Sequence, residues 1–508
     1  MLSIHLSAFI ALGTSANAAV PQVTPRSHLQ TTFSGLSDVE PFSLQLSPDT
    51  AKVCNSTTPG TSGFITSDDG QGGNNSIFFW AFESKHDPKT DPVILWMSGY
   101  ESPDSPNVPS ANLNSSGPGA SSVGFGNLME LGPCRIASEG GYTVDNEFGW
   151  NANATVLFVD QPVGVGYSRG QRIPAGIRDS SMAMVRFLRQ FMTAFPELAD
   201  LDFYIAGESY GGSWVPALAS TILKSESVSN ERESLIVQED RPNLSPNSSR
   251  APKINLKGIM IGNGLVRRSV QNMGFFETVC SGPDSLFNSS QCLEWAPRAM
   301  WCEDNLAVCE VDGMKSSTCK EAESKCSGIS KVVTEDMHRN PYDFRRECHD
   351  QDSCYSEMRY VEEYLNRSDV KTALGVPENQ AFVGISLDVL KQWEKVGDLW
   401  RASDEYVNHL LQSGIRVLIY VGDQDLYCNA PGMRLLVDRG LSWHGQPIIR
   451  LRELVPWYLG TKSAGLWKSY EPLTYAEVAG AGHLVPFDKP EEALTLINSW
   501  IHGRLPAL

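Results

Sequence analysis

Apolar residues are concentrated in short runs that alternate along the chain with segments of helical periodicity. The spacing of Met184, Phe187, Leu188, Phe191 and Phe195 places them on one face and predicts a helix over 181–195. Strands are predicted for the runs Ile77–Phe82, Val93–Trp96, Thr155–Val159, Leu201–Ala206, Ile259–Gly264, Val417–Val421 and Tyr475–Val478, and a closing helix for Glu491–Trp500. This alternation predicts an α/β fold with a mostly parallel central sheet flanked by helices.

The run Leu201–Ala206 leads directly into Gly207-Glu208-Ser209-Tyr210-Gly211, and a helix-like segment follows. A strand that ends in Gly-x-Ser-x-Gly and runs into a helix is the nucleophile elbow of α/β-hydrolases. It exposes the serine hydroxyl, and the next backbone N–H, here of Tyr210, stabilises an oxyanion. A chance match is the alternative in a chain with 43 glycines. The motif occurs once, in the context that it requires, which favours Ser209 as a nucleophile.

A nucleophilic serine in this fold needs an acid and a histidine in the order Ser, Asp, His, each at the end of a strand. The predicted strand 417–421 is followed by Gly-Asp-Gln-Asp425, and the last predicted strand by Gly-Ala-Gly-His483. His444 and His502 also follow Asp425, but the first lies in a polar loop and the second beyond the closing helix. The order and the context predict Asp425 and His483 as the partners of Ser209.

The net charge of −18 over 508 residues argues against nucleic acid or an anionic membrane surface as a partner. Residues 1–18 combine an apolar stretch with Ala-Asn-Ala, which predicts a secretory signal peptide. Residues 19–50 are polar and weakly periodic, and are either a pro-segment or a disordered arm. No later apolar run is long enough for a membrane anchor. We expect a protein of the secretory pathway that is extracellular or vacuolar.

Eight Asn-x-Ser/Thr sequons fit this location. N-glycans are predicted at Asn55, Asn74, Asn153, Asn243, Asn247, Asn288 and Asn366, and Asn114 is the eighth sequon.

Around the three candidate residues the chain resembles the serine carboxypeptidase family of the α/β-hydrolase superfamily. The matching stretches are Glu130–Pro133, Trp150–Ala154, Asp160–Ser168, Gly207–Gly212, Tyr420–Asn429, Gly482–Glu491 and Trp500–Gly503. The resemblance extends from about Cys54 to the C-terminus, so we take residues 51–508 as one such domain.

The resemblance implies hydrolysis of the C-terminal peptide bond of peptides and proteins through an acyl-enzyme, without a metal or an organic cofactor. Ser209 would attack, His483 would transfer the proton and Asp425 would orient the imidazole. In the family two glutamates, one of them protonated, help to bind the substrate's carboxylate, which predicts activity in acid. The residues implied at this carboxylate are Glu208, Glu130, Trp96, Ser98 and Gly99, and those implied in the oxyanion hole are Gly117 and Tyr210.

The chain departs from the family where the pattern Trp-Leu-Asn-Gly-Gly-Pro-Gly is expected. Ser98 replaces the asparagine, and the seventeen residues 100–116 separate Gly99 from Gly117. A displaced Gly117 N–H would remove an oxyanion donor worth about 3–4 kcal/mol. The seventeen residues equal 51 nucleotides, and their back-translation accommodates splice-donor, branch and acceptor elements. We favour a translated intron over a genuine loop, in which case the Asn114 sequon is an artefact.

Eight of the eleven cysteines lie between Cys280 and Cys354, which predicts a disulfide-rich, largely helical cap insertion at about 270–360. By analogy with the family, the expected pairs are Cys54–Cys134, Cys280–Cys292, Cys302–Cys326, Cys309–Cys319 and Cys348–Cys354. Cys428 is the cysteine left over from these disulfides, three residues after Asp425. It is either a buried inert thiol or a near-site thiol that is sensitive to thiol reagents.

Two other functions remain alternatives to a carboxypeptidase. An acyltransferase on the same scaffold would pass the acyl group to an alcohol instead of water. A catalytically silent glycoprotein becomes the favoured interpretation if residues 100–116 are present in the mature chain. Release of free amino acids from a blocked peptide would separate the carboxypeptidase from both.

Overall fold

The computed structural model describes residues 29–34, 39–47, 49–58, 60–70, 72–101, 116–137, 139–238, 251–281, 285–312, 316–348 and 354–504. The predicted signal peptide and residues 102–115 of the insertion lie outside these ranges.

The strands are β1 (Leu29–Phe33), β2 (Phe42–Ser47), β3 (Gly60–Asp68), β4 (Asn74–Phe82), β5 (Val93–Met97), β6 (Tyr100–Glu101), β7 (Ser116–Gly117), β8 (Cys134–Ile136), β9 (Thr143–Asp145), β10 (Thr155–Val159), β11 (Arg169–Gly170), β12 (Phe203–Ser209), β13 (Leu256–Gly264), β14 (Arg339–Asn340), β15 (Asp343–Glu347), β16 (Arg416–Gly422), β17 (Val455–Leu459), β18 (Lys462–Tyr470) and β19 (Leu473–Val478).

The α-helices are α1 (Ile177–Ala194), α2 (Gly211–Gln238), α3 (Arg268–Gln271), α4 (Met273–Cys280), α5 (Ser289–Asp312), α6 (Ser317–Cys326), α7 (Gly328–Lys331), α8 (Ser356–Leu365), α9 (Ser368–Ala373), α10 (Leu387–Val396), α11 (Asp404–Gln412), α12 (Ala430–Leu435), α13 (Gln446–Ile449), α14 (Val485–Asp488) and α15 (Pro490–Ile501). Short 3-10 helices occur at Asp49–Lys52, Trp150–Ala152, Pro196–Leu198 and Asp398–Trp400, and π-helices at Ser122–Leu131, Val332–Asp336 and Leu436–Gly440.

The main sheet of the described chain has a parallel centre and antiparallel flanks. The strand order is β1-β2-β3-β4-β10-β5-β12-β13-β16-β19-β18-β17, and β11 pairs with β4. The strands from β10 to β19 in this order are parallel. The pairs outside them are antiparallel. The predicted parallel sheet is therefore confirmed for the centre, within a sheet that is mixed as a whole.

Apart from β4, the strands of the antiparallel flanks come from segments that the apolar runs do not identify as strands. β1 and β2 lie inside the stretch 19–50, so the disordered-arm alternative does not fit them. Their apolar residues bury against neighbours, as where the rings of Phe33 and Phe42 stack with centroids 4.5 Å apart. The hairpin of β17 and β18 extends the other edge. β17 contains Pro456, which has no N–H to donate and is tolerated in an edge strand.

Helices cover both faces of the sheet, and β4 shows how its side chains divide between them. Phe79 faces α1, where its ring centroid lies 5.2 Å from that of Phe191 and 6.0 Å from that of Phe195. Trp80, the next residue, faces the opposite core and contacts Phe82. Alternate burial on two faces is expected for a strand that is covered on both sides.

The predicted cap is present and is mostly helical. Helices α4 to α8 leave the sheet after β13, and the small sheet of β14 and β15 lies among them. Five disulfides join the predicted pairs, Cys54–Cys134, Cys280–Cys292, Cys302–Cys326, Cys309–Cys319 and Cys348–Cys354. None of the helices in the described ranges combines the length and the apolar character that a membrane span needs.

Truncation of Phe79 should test the packing of α1 on the sheet. Phe79→Ala removes a fully buried ring and should lower the free energy of unfolding by about 3–5 kcal/mol. Urea unfolding measures the change. Met182→Ala, on α1, is the control, because that side chain is 44% exposed. It should change the free energy of unfolding by less than about 0.5 kcal/mol. Equal losses in the two variants would contradict the assigned core.

Candidate active site

Ser209 is the last residue of β12, at the carboxyl edge of the parallel strands. Its φ is 61°, in the left-handed region that a non-glycine residue occupies at a cost of about 1–3 kcal/mol. Two glycines allow the turn to pass close to β5. A Cβ on Gly207 would lie 2.4 Å from the carbonyl oxygen of Met97, and one on Gly211 3.2 Å from the same atom. Because α2 begins at Gly211, the strand, turn and helix expected of a nucleophile elbow are all present.

Asp425 and His483 follow the adjacent strands β16 and β19, and their side chains are in contact. His483 Nδ1 lies 2.6 Å from Asp425 Oδ2, and both side chains are buried. Asp425 also accepts hydrogen bonds from the backbone N–H groups of Tyr427 at 2.8 Å and Cys428 at 3.2 Å. The predicted acid and histidine therefore meet, and the turn after β16 fixes the carboxylate.

Asn263, at the end of β13, binds the same carboxylate. Its Nδ2 donates to Asp425 Oδ2 at 2.8 Å, and its Oδ1 accepts from the Gly422 N–H at 3.0 Å. From the sequence, Asn263 is predicted only as part of a strand. A polar side chain at the carboxyl end of the apolar run Ile259–Gly264 was the signal that could have identified it.

Glu130 and Glu208 form a buried carboxyl pair beside the elbow. Glu208 directly precedes Ser209, and Glu130 lies in the π-helix Ser122–Leu131. Their side chains are hydrogen-bonded to each other, which requires a proton between them because two carboxylates can only accept. Burial raises the pKa of Glu130 to about 7, although the bond to Glu208 and the charge of His483 lower it. Glu130 Oε2 has no hydrogen-bond partner among the described residues, so it can receive a ligand.

Trp96 lies on β5 beside the elbow, Ser98 directly follows that strand, and the two side chains are joined by a hydrogen bond. Trp96 Nε1 donates to Ser98 Oγ at 2.9 Å. The Ser98 N–H donates to Ser122 Oγ at 3.0 Å, which ties this strand end to the helix that carries Glu130. Because Ser98 Oγ accepts from Trp96, its own proton is available to a ligand.

The insertion leaves the site through a neck of two short strands. β6 and β7 are antiparallel, with Tyr100 opposite Gly117. Gly99 contacts the elbow, since a Cβ there would lie 2.2 Å from the Tyr210 nitrogen. Gly117 instead faces Leu390, at 2.4 Å from an added Cβ to Cδ1. The structure thus places Gly99 against Tyr210, and Gly117 is paired with Tyr100, the residue after Gly99. The oxyanion role of Gly117 stays a prediction.

Cys428 is a buried cysteine that belongs to none of the five disulfides and lies next to the dyad. Its Sγ and the ligand atoms of Asp425 and His483 all lie within 4.8 Å of one another. These groups are of types that bind metal ions. Asp425 and His483 are bonded to each other, however, and we assign them to the dyad. A reagent on the Cys428 thiol would enlarge a side chain in contact range of the dyad.

The model of the serine carboxypeptidase family matches residues 55–503. The chain belongs to the serine carboxypeptidase family. It is 35% identical over 432 residues to carboxypeptidase Y of Candida albicans, a match that covers 84% of this chain and 71% of that protein. It is 32% identical over 483 residues to a vacuolar serine-type carboxypeptidase of Saccharomyces cerevisiae, covering 94% and 85% of the two chains.

A solved structure has a similar fold. The crystal structure of Kex1(Δ)p, a prohormone-processing carboxypeptidase from Saccharomyces cerevisiae, aligns with a TM-score of 0.69 at 21% identity. The alignment covers 90% of this chain and 94% of that one. The α/β-hydrolase fold predicted from the sequence is therefore confirmed.

As a serine carboxypeptidase, the chain is a hydrolase of the peptidase class, and its family acts on the C-termini of peptides. The predicted family and enzyme class are confirmed. The comparisons do not favour the acyltransferase or the catalytically silent glycoprotein.

Replacement of Asn263 should weaken catalysis more than substrate binding. Asn263→Ala removes a hydrogen bond to a charged group, worth about 1.5–3 kcal/mol, and frees Asp425 to shift. We expect kcat on a blocked dipeptide to fall at least about tenfold, with KM changed less than about twofold. Asn305→Ala, which removes a hydrogen bond within α5 of the cap, is the control. An unchanged kcat in Asn263→Ala would refute the support role.

Proposed function

We propose that this serine carboxypeptidase removes the C-terminal residue of peptides and proteins in acid, through an acyl-enzyme on Ser209. Ser209 Oγ attacks the scissile carbonyl carbon while His483 takes its proton, and Asp425 stabilises the imidazolium. The C–N bond breaks as His483 returns the proton to the leaving amino acid. Water then hydrolyses the ester with the same base. Asp423, whose Oδ1 accepts from the Gly480 N–H at 2.7 Å, has a structural role.

The Glu130–Glu208 pair is the observation that carries this proposal. An enzyme that cleaves only the last peptide bond must recognise the free carboxylate of the residue that follows the scissile bond. Glu208 supplies the proton of the bond between the two glutamates, and a protonated Glu130 donates through its Oε2 to that carboxylate, whereas two ionised glutamates would repel it. Glu208 holds the pair beside the nucleophile because it is the neighbour of Ser209. The pair therefore selects the chain end as the substrate.

Three further residues complete the proposed carboxylate site. The Ser98 hydroxyl supplies a second donor, Trp96 fixes the orientation of that hydroxyl, and Gly99 leaves space between the elbow and the substrate. The N–H groups of Tyr210 and Gly117 are the proposed oxyanion donors.

We further propose that the protein enters the secretory pathway through residues 1–18 and works in an acidic compartment or outside the cell. A vacuolar relative supports this location. The exposed or half-buried asparagines Asn55, Asn74, Asn153 and Asn288 are suited to carry N-glycans. Asn366 is less suited, because its Nδ2 donates to the carbonyl oxygens of Glu362 at 3.0 Å and Phe382 at 3.2 Å. Asn243 and Asn247 lie outside the described residues.

The decisive experiment compares two secreted proteins, one with the full sequence and one that lacks residues 100–116. Each is assayed near pH 5 and pH 7.5 on a blocked dipeptide, with Ser209→Ala as the inactive control. If 100–116 is a translated intron, only the shortened form should release the terminal amino acid, and more strongly in acid. The expected difference in kcat is about a hundredfold to a thousandfold, the effect of one oxyanion donor.

Each other outcome has a definite meaning. Equal activity in the two forms would show that the neck of β6 and β7 preserves the oxyanion hole, and it would remove the functional argument for a translated intron. Two folded but inactive forms would contradict the proposed activity. Sequencing of the spliced transcript tests the intron independently.

The pH dependence of KM should report on Glu130. Because the pKa of Glu130 is raised to about 7, the carboxyl keeps its proton below that pH and loses it as the pH rises through 7. KM for a blocked dipeptide should rise about tenfold between pH 5 and pH 8, while KM for the corresponding C-terminal amide should not. Glu130→Gln keeps a donor that does not titrate, so its KM should stay nearly flat. A variant with the parent's pH dependence would assign the titration elsewhere.

A further inference from the structure

A segment of the cap contacts both loops that carry the dyad. We call residues 341–346, which begin at Pro341 and run into β15, the cap strap. Its Pro341 carbonyl accepts a hydrogen bond from the Leu426 N–H at 3.0 Å, and its Phe344 N–H donates to the Gln424 carbonyl at 3.1 Å. These two bonds enclose Asp425, the residue between Gln424 and Leu426. The strap is thus paired with the acid loop on both sides of the acid.

The same segment binds the backbone of the histidine itself. The His483 N–H donates to the Tyr342 carbonyl at 2.7 Å. The Tyr342 ring lies against the imidazole, with centroids 5.2 Å apart. A residue of the cap therefore fixes both the main chain and one face of the ring of His483.

An ionic cluster locks the strap to the histidine loop. Asp343 is fully buried, and its carboxylate bonds Arg345 Nη2 at 2.8 Å and Arg346 Nε at 2.9 Å. Arg346 also donates to Asp488 Oδ1 at 2.7 Å. The other oxygen of Asp488 accepts from the Gly482 N–H at 2.7 Å, directly before His483. A continuous chain of charge-assisted bonds thus runs from the strap to the residue next to the histidine.

The fit at Gly482 leaves the loop little freedom. A Cβ on Gly482 would lie 2.4 Å from the Tyr342 carbonyl oxygen, 2.9 Å from Asp343 Cβ and 3.0 Å from Asp488 Oδ2. The strap and Asp488, to which it is bonded, therefore pack directly against the backbone of Gly482, the residue before His483.

We propose that Asp343, Arg346 and Asp488 are positioning residues, through which the cap strap sets the place of His483 relative to Asp425 and Ser209. The inference rests on the proposed catalytic function of Ser209, Asp425 and His483. General-base transfer is sensitive to errors in position, and an error of about 1 Å can cost about a hundredfold in rate. The cap accordingly contributes to catalysis by holding His483 in position.

Arg346→Met is the first test, because Arg346 is 47% exposed and its loss opens no buried cavity. We expect kcat on a blocked dipeptide to fall about tenfold, with KM changed less than about twofold. Arg346→Lys keeps the charge but reaches one acid at a time, so it should restore part of the loss. The matched control is Arg359→Met, which removes an exposed arginine paired with Glu363 on cap helix α8.

A second readout does not depend on peptide cleavage. The proton between His483 Nδ1 and Asp425 should give a far-downfield NMR resonance that is missing in His483→Ala. In Arg346→Met this resonance should shift or broaden, and in Arg359→Met it should not. If the parent enzyme cleaves no peptide, the proposed function fails, while the resonance still decides whether the strap positions His483.

Asp343→Asn is the second variant, for the case in which Arg346→Met does not fold. It is nearly isosteric and removes the charge to which Arg345 and Arg346 bind. Its control is Glu310→Gln, which neutralises another buried carboxylate, one that accepts from the Ser269 N–H at 2.6 Å. A fall in kcat specific to Asp343→Asn supports the proposal. Equal melting losses in the two variants, with unchanged kcat and an unchanged downfield resonance, would overturn it.

Discussion

The close approach of β12 to β5 beneath the nucleophile constrains the centre of this molecule. Gly207 is paired with Met97 in the parallel register, and the Met97 carbonyl occupies the space that side chains at Gly207 and Gly211 would need. The chain therefore turns at Ser209 with a positive φ, and the Leu265 N–H holds the turn through the Ser209 carbonyl at 2.9 Å. Since this turn fixes Ser209, the proposed acid and histidine come from other strand ends at the same edge of the sheet, those of β16 and β19.

Two buried acids with raised pKa values are a second property of this centre. Asp160 accepts from Ser121 Oγ at 2.5 Å and from the Tyr167 N–H at 3.0 Å, yet burial raises its pKa to about 7, like that of Glu130. In the unfolded chain such carboxyls lose their protons near pH 4. Between that pH and about 7 the native state holds more protons than the unfolded state, so stability falls as the pH rises through this window. The proposed binding of substrate through Glu130 and the contribution of these two carboxyls to native stability are thus both favoured in acid.

Local patterns predicted those parts of the fold that depend on adjacent residues. The elbow followed from a strand, two glycines and a helix, and Asp425 and His483 from loops directly after apolar runs. The hairpin of β17 and β18 was not predicted, because no apolar run marks it and its stability comes from pairing with β19. The roles of Asn263 and the cap strap were not predicted for a related reason. Their roles depend on contacts across 162 residues in the first case, from Asn263 to Asp425, and on a return of the cap to the sheet in the second.

The turn beside the elbow is held mainly by contacts on either side of the insertion. On one side the Ser98 N–H binds Ser122 Oγ, and on the other the Ser386 N–H donates to the Gly119 carbonyl at 2.9 Å. Asp160 fixes the following helix through Ser121. Paired antiparallel residues such as Tyr100 and Gly117 are separated by about 4.5–5.5 Å between Cα atoms, so the two ends of the insertion emerge side by side. The contacts of Ser98, Gly119 and Ser121 thus hold both sides of the insertion, and the part of this turn that they leave open is the direction of the Gly117 N–H group.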